Sequence, residues 1–288
     1  MKIIFSRKGF DLEYGGFPSP ILPDNRLISL PIPYDNDICY SELQLEGYGT
    51  YFDIISSLNG RIKKNKEWQD FKKQSTCHLD PDLRQETYIG HDKETWTPLF
   101  GQSGAAQSHL ENEEVLDPKN NDLFLFFGTF RRTAINDEGR LKFVRTCKPL
   151  HVIYGYFQIG QIIKVNEKKS EIKSWMEYHP HIVNCNLEPN NNTVYVARDN
   201  LTWNSKLKGA GTFLFDERLV LTKEGFSKSR WKLDAVFRNV KISCHSDKNW
   251  NNQECYFQTN GIGQEFVIHA DEHVERWAKD LINRLKVQ

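Results

Sequence analysis

The chain has 288 residues, enough to bury a substantial core as one large domain or two modest ones. Its 38 basic and 38 acidic side chains cancel, which argues against a uniformly basic nucleic-acid-coating protein but leaves room for a local basic groove. No stretch approaches the roughly 18 consecutive apolar residues of a membrane span, the first residues carry no apolar leader, and the six cysteines include no C-x-x-C pair; a soluble, cytoplasmic, thiol-reduced protein with no membrane partner is expected.

Residues 2–5 predict a short strand that runs directly into Ser6-Arg7-Lys8-Gly9 and then Asp11. Gly15-Gly16 and Pro18, Pro20 and Pro23 make the following stretch loop. Pro23-Asp24-Asn25-Arg26 signals a turn into a strand over 27–32. A short helix is expected over 50–58, ended near Asn59-Gly60, and the charged run 61–73 reads as solvated. From 75 to 102 the chain is polar and aperiodic, until Ser103-Gly104 introduces a candidate helix over 105–114. Long loops rich in ionisable groups that lead into a short helix often carry sites.

The β signal then strengthens. Residues 122–127 form a near-continuous apolar run, 136–139 read as a hairpin turn, and 141–145 return. A long strand over 151–165 is interrupted by Gly155 and Gly160, which predict bulges or a tight bend. Residues 193–197, 211–215, 219–221, 240–243 and 265–269 continue the series, and 272–285 form an amphipathic helix. With no repeat, low-complexity tract or linker-like shift, 1–288 read as a single α+β domain. A curved, mostly antiparallel sheet or partly closed barrel is expected, with a few helices and long loops.

In 77-CHLDPDL-83, His78, Asp80 and Asp82 alternate, and alternate residues of an extended chain share a face. One imidazole and two carboxylates suit proton transfer or a divalent ion; proton transfer is preferred, because no second ligand motif at metal spacing accompanies them. The competing reading is turn chemistry around Asp-Pro-Asp, with Pro81 barring a central strand. In 100-FGQSGAAQSHL-110, Ser103 can cap a helix whose first amides favour phosphate, and Gln102 and Gln107 can orient a base, with His109 elsewhere around the helix. An ordinary capped helix fits too. Arg7 and Lys8 can hold phosphate and Asp11 can act as a catalytic carboxylate, or all three form a solvated hairpin tip.

Arg131 can emerge at the sheet rim to meet phosphate or an aspartate, although a surface ion pair is the commoner fate. The two imidazoles of 179-HPH-181 could bind a metal given further ligands. In 263-GQEF-266, Gln264 or Glu265 can reach a pocket, or Glu265 can be a structural hydrogen-bonder. The Walker, dinucleotide, nucleophile-elbow, H-E-x-x-H, kinase and zinc-deaminase patterns are all missing from the sequence.

The motifs FSRKGFD, HLDPDL, FGQSGAAQSHL, DLFLFFGTFR, HVIYGYFQIGQI, HPHI, NNTVYVA and GQEFV occur in that order. Together they resemble the third family of nucleotide-modification-associated domains, bacterial and phage proteins linked to nucleic-acid base modification. The resemblance spans nearly the whole chain. The pair DLFLFF and VIYGYFQIGQI is also similar to the strand pattern of PUA-like barrels, which include readers of modified bases.

The resemblance implies an enzyme or enzyme subunit acting on a nucleobase or nucleotide in a modification or phage-conflict system, with nucleic acid or nucleotides, and other proteins of such a system, as partners. His78, Asp80, Asp82, His109 and Asp11 are the candidate catalytic groups. Arg7, Lys8, Gln102, Gln107, Arg131 and Gln264 are the candidate substrate-binding groups. No cofactor is defined by these motifs. The alternative is a non-catalytic reader of a modified base, with a deep aromatic pocket from Trp96, Tyr154, Trp231 or Trp250. A purely protein-binding role is a third reading that the neutral charge permits.

Overall fold

The apolar run that begins at Leu123 is the axis of the fold. It belongs to a nine-stranded sheet in a computed structural model that describes residues 1–35, 38–115, 117–186, 188–259 and 264–285. In chain order the strands are β1 (Lys2–Arg7), β2 (Ser19–Ile21), β3 (Leu99–Gln102), β4 (Leu123–Ile135), β5 (Leu141–Phe143), β6 (Leu150–Lys164), β7 (Thr193–Ala197), β8 (Ala210–Thr212) and β9 (Glu265–His269). Their spatial path is β9-β1-β4-β6-β7-β3, with β2 and β5 also on β4 and β8 on β6. β1 and β2 run parallel to β4, and every other pairing in the sheet is antiparallel. Four α-helices lie among the described residues: α1 (Tyr51–Leu58), α2 (Gly104–Asn112), α3 (Pro180–Val183) and α4 (Glu272–Arg284).

The glycines of β6 bend it. The register with β4 shifts between Phe126 and Phe127, opposite Gly155, and the register with β7 shifts between Ile159 and Gln161, across Gly160. A β-carbon on Gly160 would stand 2.8 Å from the Arg198 amide nitrogen, so only glycine lets these backbones approach. This curvature carries β3 round toward β9 without closing the sheet. The two strands end the path and share no ladder among the described residues, so of the two expected forms the mostly antiparallel open sheet is observed and the partly closed barrel is not.

Several expected strands differ. Over 27–32 the pairing reduces to an isolated bridge from Leu27 to Ile21 and the short strand Ile32–Pro33 against Cys77–His78, because Pro31 and Pro33 remove ladder donors. Of 219–221, Leu219 ends a 3-10 turn, Glu217–Leu219, and Val220 makes an isolated bridge to Val152; 240–243 retain a bridge from Ile242 to Ile268. The solvated 61–73 stretch is a hairpin, Arg61–Lys64 with Glu67–Asp70, turned at Asn65 and Lys66, both at positive φ.

The main core spans β1, β4, β6 and α4, with Phe5, Phe127, Trp231 and Phe266 in edge-to-face and stacked contact. α4 buries Val274, Ala278, Leu281 and Ile282, and Asp271 caps its first turn by accepting from the amides of His273 and Val274. A second cluster, which includes Phe10, Tyr40, Ile54 and Leu79, packs α1 and the N-terminal loops over the strand carrying His78. The capping box of Thr50 and Asp53 starts α1.

Candidate functional site

The open seam between β3 and β9 is bridged by side chains. Gln102 Nε2, at the end of β3, donates to Glu265 Oε1 at the start of β9 over 2.6 Å. Ser6 Oγ on β1 donates to the same oxygen at 3.1 Å. Lys8 follows β1 immediately and is held there by its amide, which donates to the Phe127 carbonyl at 2.9 Å. Its ammonium lies 3.6 Å from Glu265 Oε1, 3.7 Å from Asp80 Oδ2 and 4.4 Å above the Phe100 ring. Lys8, expected either to hold phosphate or to sit at a solvated hairpin tip, is the counter-charge of two carboxylates.

Asp80 is almost fully enclosed. Its Oδ1 accepts from the Gly101 amide at 2.6 Å, and His179 Nε2 stands 3.5 Å away. Burial alone would raise this carboxyl. The His179 imidazole and the Lys8 ammonium outweigh it and hold Asp80 well below the ordinary carboxylate range. Glu265 goes the other way: burial pushes its carboxyl up against the pull of Lys8, and its Oε2 has no hydrogen-bond partner among the described residues.

His78 meets His181, 103 positions further along the chain, with their Nε2 atoms 3.2 Å apart. Asn192 determines the tautomer of His181. Its Nδ2 donates to the His181 carbonyl at 2.7 Å, which leaves its Oδ1, 2.7 Å from His181 Nδ1, as an acceptor. His181 Nδ1 must then carry the proton, and its Nε2 lone pair faces His78. Burial pushes His78 down to about 3 and lowers His181 as well, so both rings are neutral near pH 7.

Lys8, His78, Asp80, Gln102 and His181 line a cleft of about 430 Å³. Arg7, Lys8, Asp11, His78, Asp80, Gln102 and Gln264 all line it, so seven of the eleven candidate residues share one cavity. The Asp11 carboxylate is engaged by the amides of Glu13 and Tyr14. Gly263, of the same motif as Gln264, lies outside the described residues.

The other four candidates are elsewhere. Asp82 points away: its backbone bridges to Leu99, and its carboxylate accepts from Trp96 Nε1, Thr87 Oγ1 and the Tyr178 hydroxyl. Gln107 is buried against Tyr195, whose hydroxyl donates to its Oε1 at 2.9 Å. His109 contacts Ser243 and Cys244. Arg131 donates to the carbonyls of Val144 and Arg145. Ser103 holds the N-cap position of α2 but turns its hydroxyl to Glu188, and Asn191 takes the Gly104 amide. A carboxylate and an acceptor thus occupy the end where phosphate was expected.

The cleft also contains residues that no motif singled out. Tyr34 sits edge-on to His78 at 5.2 Å, and Tyr14 also lines the cleft; both residues are substantially exposed, at 37% and 44%. Glu188 completes the wall beside Ser103. Of the aromatics expected for a deep pocket, Tyr154 and Trp231 are core residues, Trp96 is tied to Asp82, and Trp250 lies under Arg238.

A family model described as nucleotide modification associated domain 3 matches residues 2–269. No curated protein and no solved structure matches the chain.

Proposed function

Because the chain belongs to the family of nucleotide modification associated domain 3, whose description implies a role in nucleotide modification, we propose that it is an enzyme, or the catalytic subunit of an enzyme, that modifies a nucleobase or nucleotide in the β3–β9 cleft. One observation carries this reading. Lys8, His78, Asp80, Gln102 and His181 come from distant segments and meet on one largely desolvated floor. Folding alone does not call for two neutral imidazoles, an ionised aspartate and a lysine at the base of an open cleft; reactive sites do.

The walls suit the substrate. Tyr14 and Tyr34 offer exposed ring faces on which a base can stack. Arg7 at the mouth supplies positive charge for a phosphate. Gln102 presents an amide held in place by Glu265, and Gln264 stands at the rim. His78, Asp80 and His181 line the same cleft, where a ring nitrogen or the carboxylate can activate water or a substrate proton. Glu265 acts as a positioning residue under Lys8 and Gln102. Residues 1–288 are proposed to work as one unit in the cytoplasm, where DNA, RNA and nucleotides are available.

The test is nucleoside mass spectrometry. Double-stranded DNA, total RNA and the common nucleoside triphosphates are incubated with the protein in bacterial extract, digested and analysed. The wild-type chain is expected to produce a mass-shifted nucleoside, and Asp80→Asn is expected to produce none. Equal product from the variant overturns the assignment of the cleft. Tight oligonucleotide binding without product assigns the chain as a reader instead.

A further inference from the structure

We propose that His78, Asp80 and His181 bind one divalent first-row transition-metal ion. The inference rests on the cleft being the reactive site, but not on which base or nucleotide it modifies. The ligand atoms of these three residues lie within 4.8 Å of one another, the only such group of three histidine, cysteine or acidic residues among the described residues. Two imidazole nitrogens each about 2.1 Å from a shared ion stand about 3.0–3.4 Å apart at angles from octahedral to tetrahedral. The Nε2 atoms of His78 and His181 are 3.2 Å apart.

The surroundings orient two of the three ligands for an ion. Asn192 fixes the His181 tautomer with the Nε2 lone pair directed at the shared point. The Gly101 amide pins one Asp80 oxygen. Such outer contacts are the usual supports of metal-bound histidine and carboxylate. Lys8 is not an obstacle, because Glu265 lies as near to it as Asp80 does and can retain the ammonium when an ion takes an Asp80 oxygen.

The donor set also selects the ion. Two imidazoles and one carboxylate favour iron(II), cobalt(II) or zinc over magnesium and calcium, which prefer all-oxygen shells. All three ligands line the cleft, together with Tyr34 and Glu188, so an ion held by them would be reachable from it. Three protein ligands with open positions are the arrangement of a catalytic rather than a structural ion. An ion there would polarise water or a substrate atom and take over the activating role otherwise left to His78 and Asp80.

Cobalt(II) and zinc(II) titrations of the chelator-stripped chain, read by calorimetry and by cobalt(II) visible absorption, test this directly, with magnesium as a control. One cobalt or zinc ion per chain is expected, with no magnesium binding at the same concentrations. His181→Ala and His78→Gln should each weaken binding by about a hundredfold or more, and Asn192→Leu by about tenfold to a hundredfold. His78 is only half-buried, so His78→Gln decides the matter if His181→Ala does not fold. The inference is overturned if wild-type protein gives neither heat nor a cobalt spectrum, or if His78→Gln binds as tightly as wild type. Nucleoside products without ion binding would defeat this inference alone; ion binding without products would defeat only the proposed modification activity.

Discussion

Gly101 lies flat against the His181 ring, so closely that a β-carbon at Gly101 would stand 2.1 Å from His181 Cδ2. The glycine therefore does two things for the cleft: its amide holds Asp80, and its missing side chain lets His181 reach His78.

Gly101→Ala is expected to displace the His181 ring and lower stability by about 1–3 kcal/mol through overpacking. Its effect on the cleft should be larger, with nucleoside product lost while near-ultraviolet circular dichroism stays native. Unchanged product formation would show that the His181 position is immaterial.

Lys8 is the only ammonium shared by Asp80 and Glu265 among the described contacts. Lys8→Met should cost about 3–5 kcal/mol in urea unfolding, because a buried charge is left without its partner. Adding Glu265→Gln should recover part of that loss. Additive losses in the double variant would mean that the lysine and the glutamate are not coupled.

Tyr34→Ala and Tyr14→Ala test the stacking walls. Each is expected to weaken binding of a single-stranded oligonucleotide or a nucleoside triphosphate by about 1–3 kcal/mol, with thermal stability nearly unchanged because both rings are exposed. Fluorescence anisotropy checks this. Equal affinities for wild type and the double variant would place the base elsewhere.

Asp82 provides the contrast within the same heptapeptide. Burial raises its carboxyl, and the Tyr178 hydroxyl is one of three donors to it. Tyr178→Phe should destabilise the chain by about 1–3 kcal/mol by removing a donor from a buried acceptor, yet leave cleft chemistry intact at permissive temperature. Loss of product from folded Tyr178→Phe protein would bring Asp82 back into the site.

His151 makes stability depend on pH. Burial, with the nearby charges of Lys228 and Arg7, pushes it from an ordinary 6.5 down to about 3, and Trp231 Nε1 donates to its Nδ1 at 3.0 Å. The unfolded chain takes up this proton below about 6.5 while the folded chain refuses it, so the stability is present at neutral pH and lost as pH falls toward 3. The slope is about 1.4 kcal/mol per pH unit for this one group. Urea titrations between pH 6 and pH 4 should show a shallower slope for His151→Gln by about that amount.

Much of the fold was legible locally. Strands 193–197 and 265–269 occupy the expected residues, because their apolar runs are bounded by polar punctuation and need no distant information. Gly155 and Gly160 marked the two register shifts of β6, because interior glycine is unfavourable in a strand without a backbone reason. The seams were harder to read. Periodicity places residues on one face only while the chain stays extended, and Pro81 ends that condition inside the HLDPDL motif. His78 and Asp80 therefore share the cleft, whereas Asp82 turns toward Tyr178 and Trp96.

The sequence by itself determined the chemical inventory: the family, the alternating His78 and Asp80, the HPH pair, and the basic turn after β1. Only tertiary structure decided which of these groups meet. His181 reaches His78 because β6 bends at its glycines and brings β7 and β3 round, and because Gly101 on β3 leaves space for the ring. Lys8 is the counter-ion of two carboxylates because β9 and β3 converge beside β1 and bring Glu265 and Gln102 close to it. Contacts between segments so far apart depend on sheet curvature, which sums small twists and bulges over many residues and leaves no short-range pattern to read.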